Sequence, residues 1–317
     1  MVSLACGHRV IKMGDLAAHV DDYLKLRRAL GFKLAFAGDV LPQFVAYLTG
    51  IGVTIVTAEA AVAWAGLPQG VLPISLAHRL GAVRGFAKYL RTIEPATEVP
   101  PCGVWPSVSP RPTPYIWSPT DIGRLLDAAR RMESPLRAAT HETLFGLLAS
   151  AGMRIGEAIN LAINDVDLAD GVITIRDAKF GRSRLVPLHP STTRALEEYA
   201  ANRDRLRPSP PPVTFFVSST GTRLCHSSVK TVFNTLTTDL GLRTTTTRPR
   251  MHDLRHSFAV RTLIDWHQAG VDISGRIQVL STYLGHVNPA GTYWYLTAVP
   301  ELMELAAARL DGTGDQP

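Results

Sequence analysis

Ala151-Gly152-Met153-Arg154-Ile155-Gly156-Glu157 places an arginine directly after a tight turn and at the start of a new helix. Upstream, Leu136 to Ala151 has helical apolar spacing, and Gly152 suits the helix C-terminus, where a positive φ is often needed. An arginine at this place can aim its guanidinium, together with helix amides, at an anion. Read alone, Arg154 is more simply a structural ion-pair partner of Glu157.

Working outward, Val172 to Arg176 and Arg184 to Leu188 read as two strands, joined by Ala178-Lys179-Phe180-Gly181-Arg182-Ser183. Thr214 to Val217 reads as a further short strand. Lys179 sits at the tip of this hairpin and is followed by Arg182 and Arg184. A lysine there can reach into a groove as a mobile proton donor, although a solvated turn lysine is the plainer reading.

Further on, Met251-His252-Asp253-Leu254-Arg255-His256 puts His252 and Arg255 three apart, on one face of a helix, with Leu254 and Phe258 toward the core. A histidine beside an arginine suits an anionic reaction centre: one binds oxygen, the other moves a proton near neutral pH. A capping histidine or a zinc ligand are the competing readings, and zinc lacks a cysteine or carboxylate at ligand spacing. The last feature is Tyr283-Leu284-Gly285-His286, followed by Val287 to Thr292 and then Tyr293-Trp294-Tyr295-Leu296. Gly285 ends a helix, His286 occupies the turn, and Tyr295 follows nine residues later. Alone, the three aromatics are most simply core residues.

The flanks give the domain organisation. The first hundred residues read as helical: Asp15 to Leu30, Val40 to Leu48, a short helix from Ala58 capped by Thr57, and Leu76 to Leu90. Arg79, Arg84, Lys88 and Arg91 form either a solvated helix face or a DNA-contacting one. Between Pro95 and Pro119 the prolines crowd together, which helix cannot survive. Ser118-Pro119 then starts a helix to Met132, with Ser118 as N-cap. The expected division is a helical domain over 1–95, a semi-extended linker over 96–117 and a mixed domain over 118–317. The fold class is mainly α with a small β-sheet (α+β).

Bulk composition narrows the function classes. Apolar residues make up 46% and charged residues 19% of the 317, enough for a substantial core and too apolar for a disordered chain. A net charge of +6 fits a polyanionic partner without demanding one. Cys6, Cys102 and Cys225 lie far apart and read as reduced thiols of a cytosolic protein. No signal peptide and no membrane-spanning run is expected.

In order and spacing these motifs resemble the tyrosine recombinase family, which includes phage integrases and Xer-type resolvases, over roughly Ser118 to Leu310. The Thr-Tyr-Trp-Tyr-Leu stretch and Pro300-Glu301-Leu302-Met303 look closest to transposon-associated integrases, and the N-terminal helices fit a core-binding domain in general character. The resemblance implies a site-specific recombinase that cuts and rejoins DNA through a 3′-phosphotyrosine at Tyr295, with Tyr293 as a rival nucleophile. It implies catalytic roles for Arg154, Lys179, His252, Arg255 and His286, with Glu157 and Asp253 orienting them. Neither metal, ATP nor other cofactor is implied. Double-stranded DNA is the implied partner, in a homotetramer, with an accessory recombinase or DNA-bending proteins as further partners. The C-terminal helix from Pro300 to Leu310 would dock on a neighbour or on its own domain. Localisation would be cytoplasmic, at the bacterial nucleoid. A DNA-binding protein without catalysis, a type IB topoisomerase-like enzyme and a metal-dependent nuclease are the rival readings.

Overall fold

The computed structural model of the chain describes residues 13–107, 113–178, 182–207 and 212–285. Two compact units divide it, Met1–Arg111 and Pro112–Pro317.

Among the described residues four helices build the first unit: α1 (Met13–Ala29), α2 (Ala35–Gly50), α3 (Ala58–Ala65) and α4 (Pro73–Leu90). Each boundary has a local cause. The Thr57 hydroxyl accepts from the Ala60 amide at the start of α3, as expected, and Pro73 opens α4 where its missing N–H costs nothing. Leu34, just before α2, holds a left-handed conformation at φ 44°, a local strain of about 1–2 kcal/mol for a residue with a Cβ. Apolar faces of all four helices meet around Leu41, Phe44, Trp64, Val83 and Phe86.

Among its described residues the proline-rich stretch lacks helix or strand, as its composition requires, yet its first part is not a loose tether. Arg84 donates from Nε to the Pro100 carbonyl at 2.9 Å and from Nη2 to the Pro101 carbonyl. The Glu98 amide donates to Val56, and its carboxylate accepts from the Ala58 amide at the N-terminus of α3. Val99 and Trp105 pack on the helical core. Two of the four basic residues of this region thus have structural contacts: Arg84 holds the proline stretch, and Arg79 stacks 3.9 Å over Trp64.

The second unit opens with α5 (Pro119–Arg130) and α6 (Pro135–Ala151), continues through a one-turn helix α7 (Ile155–Ala158), and then forms a three-stranded antiparallel sheet. Its strands are β1 (Val166–Asp167), β2 (Val172–Ala178) and β3 (Arg182–Pro187), in that order. Helices α8 (Pro190–Leu206), α9 (His226–Asp239), α10 (Met251–Gln268) and α11 (Ile273–Leu284) complete the described part. Ser118 caps α5 by accepting from the Asp121 amide, as its position before Pro119 predicts. Thr214 to Val217 forms only isolated bridges, Ala162 with Thr214 and Val217 with Arg223, not a strand. The sequence reading contained neither α8 nor β1: α8 buries only Leu196, Tyr199 and Arg203 on a charged helix, and β1 is two residues long.

Pairing across the sheet sets which side chains face the core. Ile173 lies opposite Val186 and Ile175 opposite Arg184, with a bulge between Ile175 and Ala178. Because side chains alternate along a strand, Arg184 shares the inner face with Val186 while Leu185 is 64% exposed. Trp117, the last residue before the α5 cap, lies buried against Tyr115 and Phe233, and its amide donates to the Ser257 hydroxyl on α10 at 2.7 Å.

Candidate active site

Gly152 ends α6 at φ 58°, a left-handed conformation that glycine adopts without strain. An added Cβ would lie 2.5 Å from Cδ1 of Phe258. This turn sends Arg154 into the N-cap position of α7, where the Glu157 carboxylate accepts from its backbone amide at 3.0 Å and from Nη1 at 2.8 Å. The ion pair suggested by sequence therefore exists. It does not exhaust Arg154, whose Nη2 donates to the Gly285 carbonyl at 2.8 Å.

Helix α10 carries the second arginine. Arg250 begins it, with its amide and guanidinium both donating to the buried Asp253 carboxylate, which fixes the first turn. One turn in, Arg255 is 1% exposed. Its Nη1 donates to the Gly152 carbonyl at 2.7 Å and its Nη2 to the Leu284 carbonyl at 2.6 Å. Leu254 is buried in the main core of the unit, and Phe258 packs in part against a second cluster that includes Leu263, Leu280 and Leu284. A third arginine completes the arrangement: Arg184 Nε donates to the Tyr283 carbonyl at 2.8 Å, while Nη1 and Nη2 grip the two oxygens of Glu157 at 3.0 and 2.8 Å.

Three consecutive carbonyls, Tyr283, Leu284 and Gly285, thus accept from three arginines drawn from β3, α10 and the Gly152 turn. The end of α11 needs such partners, since the last carbonyls of a helix have none within it and carry the negative end of its dipole. Gly285 itself sits at φ 68°, immediately before His286 in sequence.

The electrostatics follow from these contacts. Burial alone would raise the Glu157 pKa, but the hydrogen bonds and charges of Arg184 and Arg154 outweigh it and hold the carboxyl at about 2. His252 is exposed on one side, while the protein mass on the other side and the cations Arg255, Arg250 and Arg154 lower its pKa to about 4, against the opposing pull of Asp253. It is therefore neutral near pH 7 and able to take a proton. The His256 ring stands edge-on to it at 4.6 Å. Burial raises the Tyr283 phenol to about 12, partly offset by Arg184 and Arg255, which leaves it a poor nucleophile. A cavity of about 900 Å³ is lined by His252 together with Ile155, Lys230, Phe233, Arg248 and Met251.

Of the six residues singled out by sequence, the structure brings Arg154 and Arg255 to one helix end, with His252 one turn before Arg255. Lys179, His286 and Tyr295 lie outside the described residues, as do Cys6, Tyr293 and the Pro300 to Leu310 segment. In the sequence, Arg184 figures as the first residue of a strand and as a basic neighbour of Lys179, with no role of its own. The signal that finds it is phase: it shares the inner-face period of Val186, an unusual place for a cation. Among the described residues no His, Cys, Asp and Glu side chains gather as a metal site.

The family model described as the phage integrase family matches residues 117–301, the stretch that contains this whole arrangement. The chain belongs to the phage integrase family. This tyrosine recombinase is 43% identical over 307 residues to the Sinorhizobium fredii protein y4rB, named as an integrase/recombinase, covering 94% of this chain and 98% of that one. It is 30% identical over 227 residues to the tyrosine recombinase XerC of Actinobacillus pleuropneumoniae, covering 72% of this chain and 69% of XerC. Its fold is similar to that of the Tn1549 transposon integrase solved with transposon right end DNA, at a TM-score of 0.61 and 16% identity, over 92% of this chain and 99% of that one. As in the sequence reading, the recombinase is mainly helical with one small sheet. No described helix is long and apolar enough to cross a membrane.

Proposed function

We propose that this recombinase exchanges DNA strands with Tyr295 as nucleophile and Arg154, Lys179, His252, Arg255 and His286 as the groups around the scissile phosphate. The phenol oxygen of Tyr295 forms a bond to phosphorus, the bond from phosphorus to the 5′-oxygen breaks, and a 3′-phosphotyrosine and a free 5′-hydroxyl result. Rejoining reverses these bonds, so the phosphodiester energy is conserved and no ATP is needed. Arg154 and Arg255 stabilise charge on the non-bridging oxygens, a contribution on the order of 3 kcal/mol for each fixed donor. Neutral His252 accepts the phenol proton, Lys179 protonates the leaving oxygen and His286 donates to the phosphate.

The observation that carries the reading is that guanidinium groups from α10 and from the Gly152 turn converge on the Leu284–Gly285 carbonyls, directly before His286. Double-stranded DNA is the substrate, bound mainly through phosphates and so with strong salt dependence. Because one site cuts one strand, a homotetramer on DNA carries out the exchange, with an accessory recombinase or DNA-bending protein as further partners. The helical unit of residues 1–95 and the catalytic unit of residues 118–317 both hold the duplex, and the proline-rich segment 96–117 joins them. The setting is the bacterial cytoplasm, on nucleoid DNA.

The test uses nicked suicide duplexes tiled across the DNA that flanks the gene, run on a denaturing gel. A covalent protein–DNA adduct is expected with the parent and with Tyr293→Phe, none with Tyr295→Phe, and EDTA leaves the yield unchanged. An adduct formed by Tyr295→Phe at the parent rate overturns the assignment.

A further inference from the structure

We propose that Arg184 is a positioning residue of the recombination reaction: it locks the end of α11 and the Glu157 carboxylate into one unit, which sets Arg154 and the chain entering His286. The inference rests on the function proposed above.

Arg184 sits on the inner face of β3 with only 10% of its side chain exposed. All three of its nitrogens are engaged, one with the Tyr283 carbonyl and two with Glu157. With both Nη groups paired to the Glu157 carboxylate, its charge and its fork are taken up inside the protein, unlike those of Arg255, whose hydrogen bonds go to neutral carbonyls. Stability is not the natural reason for this. An apolar side chain at an inner sheet position packs without the desolvation that a buried ion pair carries. What an apolar residue cannot supply is the fork, two parallel hydrogen bonds to a carboxylate with a third donor at a fixed angle.

That geometry joins two parts of the site. Glu157 uses the oxygens gripped by Arg184 to hold the amide and Nη1 of Arg154 as well. The Tyr283 carbonyl lies two residues before Gly285, whose own carbonyl receives Arg154. Arg184, Glu157, Arg154 and the Tyr283–Gly285 backbone therefore form a closed ring of hydrogen bonds. Gly285 fits into the ring for a second reason besides its φ of 68°: a Cβ there would come within 2.7 Å of Arg184 Nη1. The glycine leaves the space that the guanidinium fills.

The experiment compares the full-length parent with Arg184→Lys, Arg184→Met and Arg184→Ala, reading three quantities: DNA affinity by gel shift, single-turnover adduct formation on the suicide duplex that the parent cleaves, and the thermal midpoint. The expected result is DNA affinity close to the parent and cleavage about 100-fold slower, the size of effect that a misplacement of about 1 Å produces. Arg184→Ala is further expected to recover part of the lost rate when guanidinium chloride is added far below denaturing concentration, with the parent unaffected. A purely structural side chain gives no such recovery. Parent-rate cleavage by Arg184→Lys or Arg184→Met overturns the proposal. So does a loss of cleavage that only tracks lost binding or lost folded protein and that guanidinium does not relieve. Should Arg184→Ala and Arg184→Met fail to fold, Arg184→Lys decides by its rate per folded molecule. A parent that forms no adduct on any tiled duplex counts against the proposed function instead.

Discussion

Arg255 donates from Nη1 to the carbonyl of Gly152 at 2.7 Å, so the arginine of α10 is fastened to the turn that presents Arg154. The two arginines are thus mechanically linked, but they are embedded differently. Arg255 is 1% exposed, whereas the Arg154 side chain is 33% exposed. Arg255→Gln leaves a buried Gly152 or Leu284 carbonyl without its donor, and is expected to cost about 1–3 kcal/mol of stability per orphaned group. Arg154→Gln, at the rim, is expected to cost less than about 1 kcal/mol, although both variants lose strand cleavage. Urea unfolding separates them, and equal destabilisation by the two sinks the distinction.

The Gly152 turn is a steric prediction. Gly152→Ala meets two penalties, a left-handed alanine at about 1–2 kcal/mol and a Cβ pressed onto Phe258, an overpacking of about 1–3 kcal/mol. Adding Phe258→Ala to Gly152→Ala is expected to recover the second part only, relative to Phe258→Ala alone. A double-mutant cycle in urea reads this, and full additivity contradicts it.

His252 carries a pH signature. Its pKa drops from the ordinary 6.5 to about 4 in the folded chain. The unfolded chain therefore binds the proton first, so the stabilising contribution is complete above about pH 6.5 and is lost as pH falls toward 4. His252→Gln should reduce the stability difference between pH 7 and pH 4.5. An unchanged difference in that variant refutes the assignment.

Glu157 has its own, lower window. Its carboxyl is held at about 2 rather than 4.5, so its contribution is complete above about pH 4.5 and disappears as pH falls through 2. With its side chain 11% exposed, Glu157→Gln is expected to lose about 3 kcal/mol at neutral pH, the free energy of a shift of that size. The parent and variant should converge in acid. Guanidinium denaturation across pH tests this, and a constant gap at all pH values contradicts it.

Where the proline-rich stretch reaches the catalytic unit, Ser257 accepts the buried Trp117 amide. Ser257→Ala leaves that N–H without a partner, at an expected cost of about 1–3 kcal/mol. Hydrogen exchange at Trp117 should accelerate well beyond the general effect of lower stability. Exchange that tracks global unfolding alone speaks against a specific role for the contact.

The sequence was most legible where chemistry and chain geometry coincide. Thr57, Ser118 and Gly152 are local signals whose caps and turns depend on a few neighbours, and the structure shows each at its expected place. The motif containing Arg154 and that containing His252 and Arg255 stand out through their resemblance in order and spacing to the tyrosine recombinase family; read alone, each has a plainer structural reading. Arg184 was not legible, because its role depends on cross-strand register and on carbonyls far along the chain. The same reason hid the fastening of Pro100 and Pro101 by Arg84: composition reveals that helix is impossible there, and nothing in it reveals which surface the stretch lies on. Helix α8 escaped notice because its buried face is narrow and includes Arg203, a residue normally counted as solvent-facing.

The acceptors at the end of α11 are backbone oxygens. Exchanging the side chains of Tyr283 or Leu284 leaves those oxygens in place, so an alignment scored letter by letter would miss what they do. What this joint cannot tolerate is a change of count: a single residue inserted or deleted within the last turn of α11, ahead of Tyr283, would shift all three oxygens relative to their arginines.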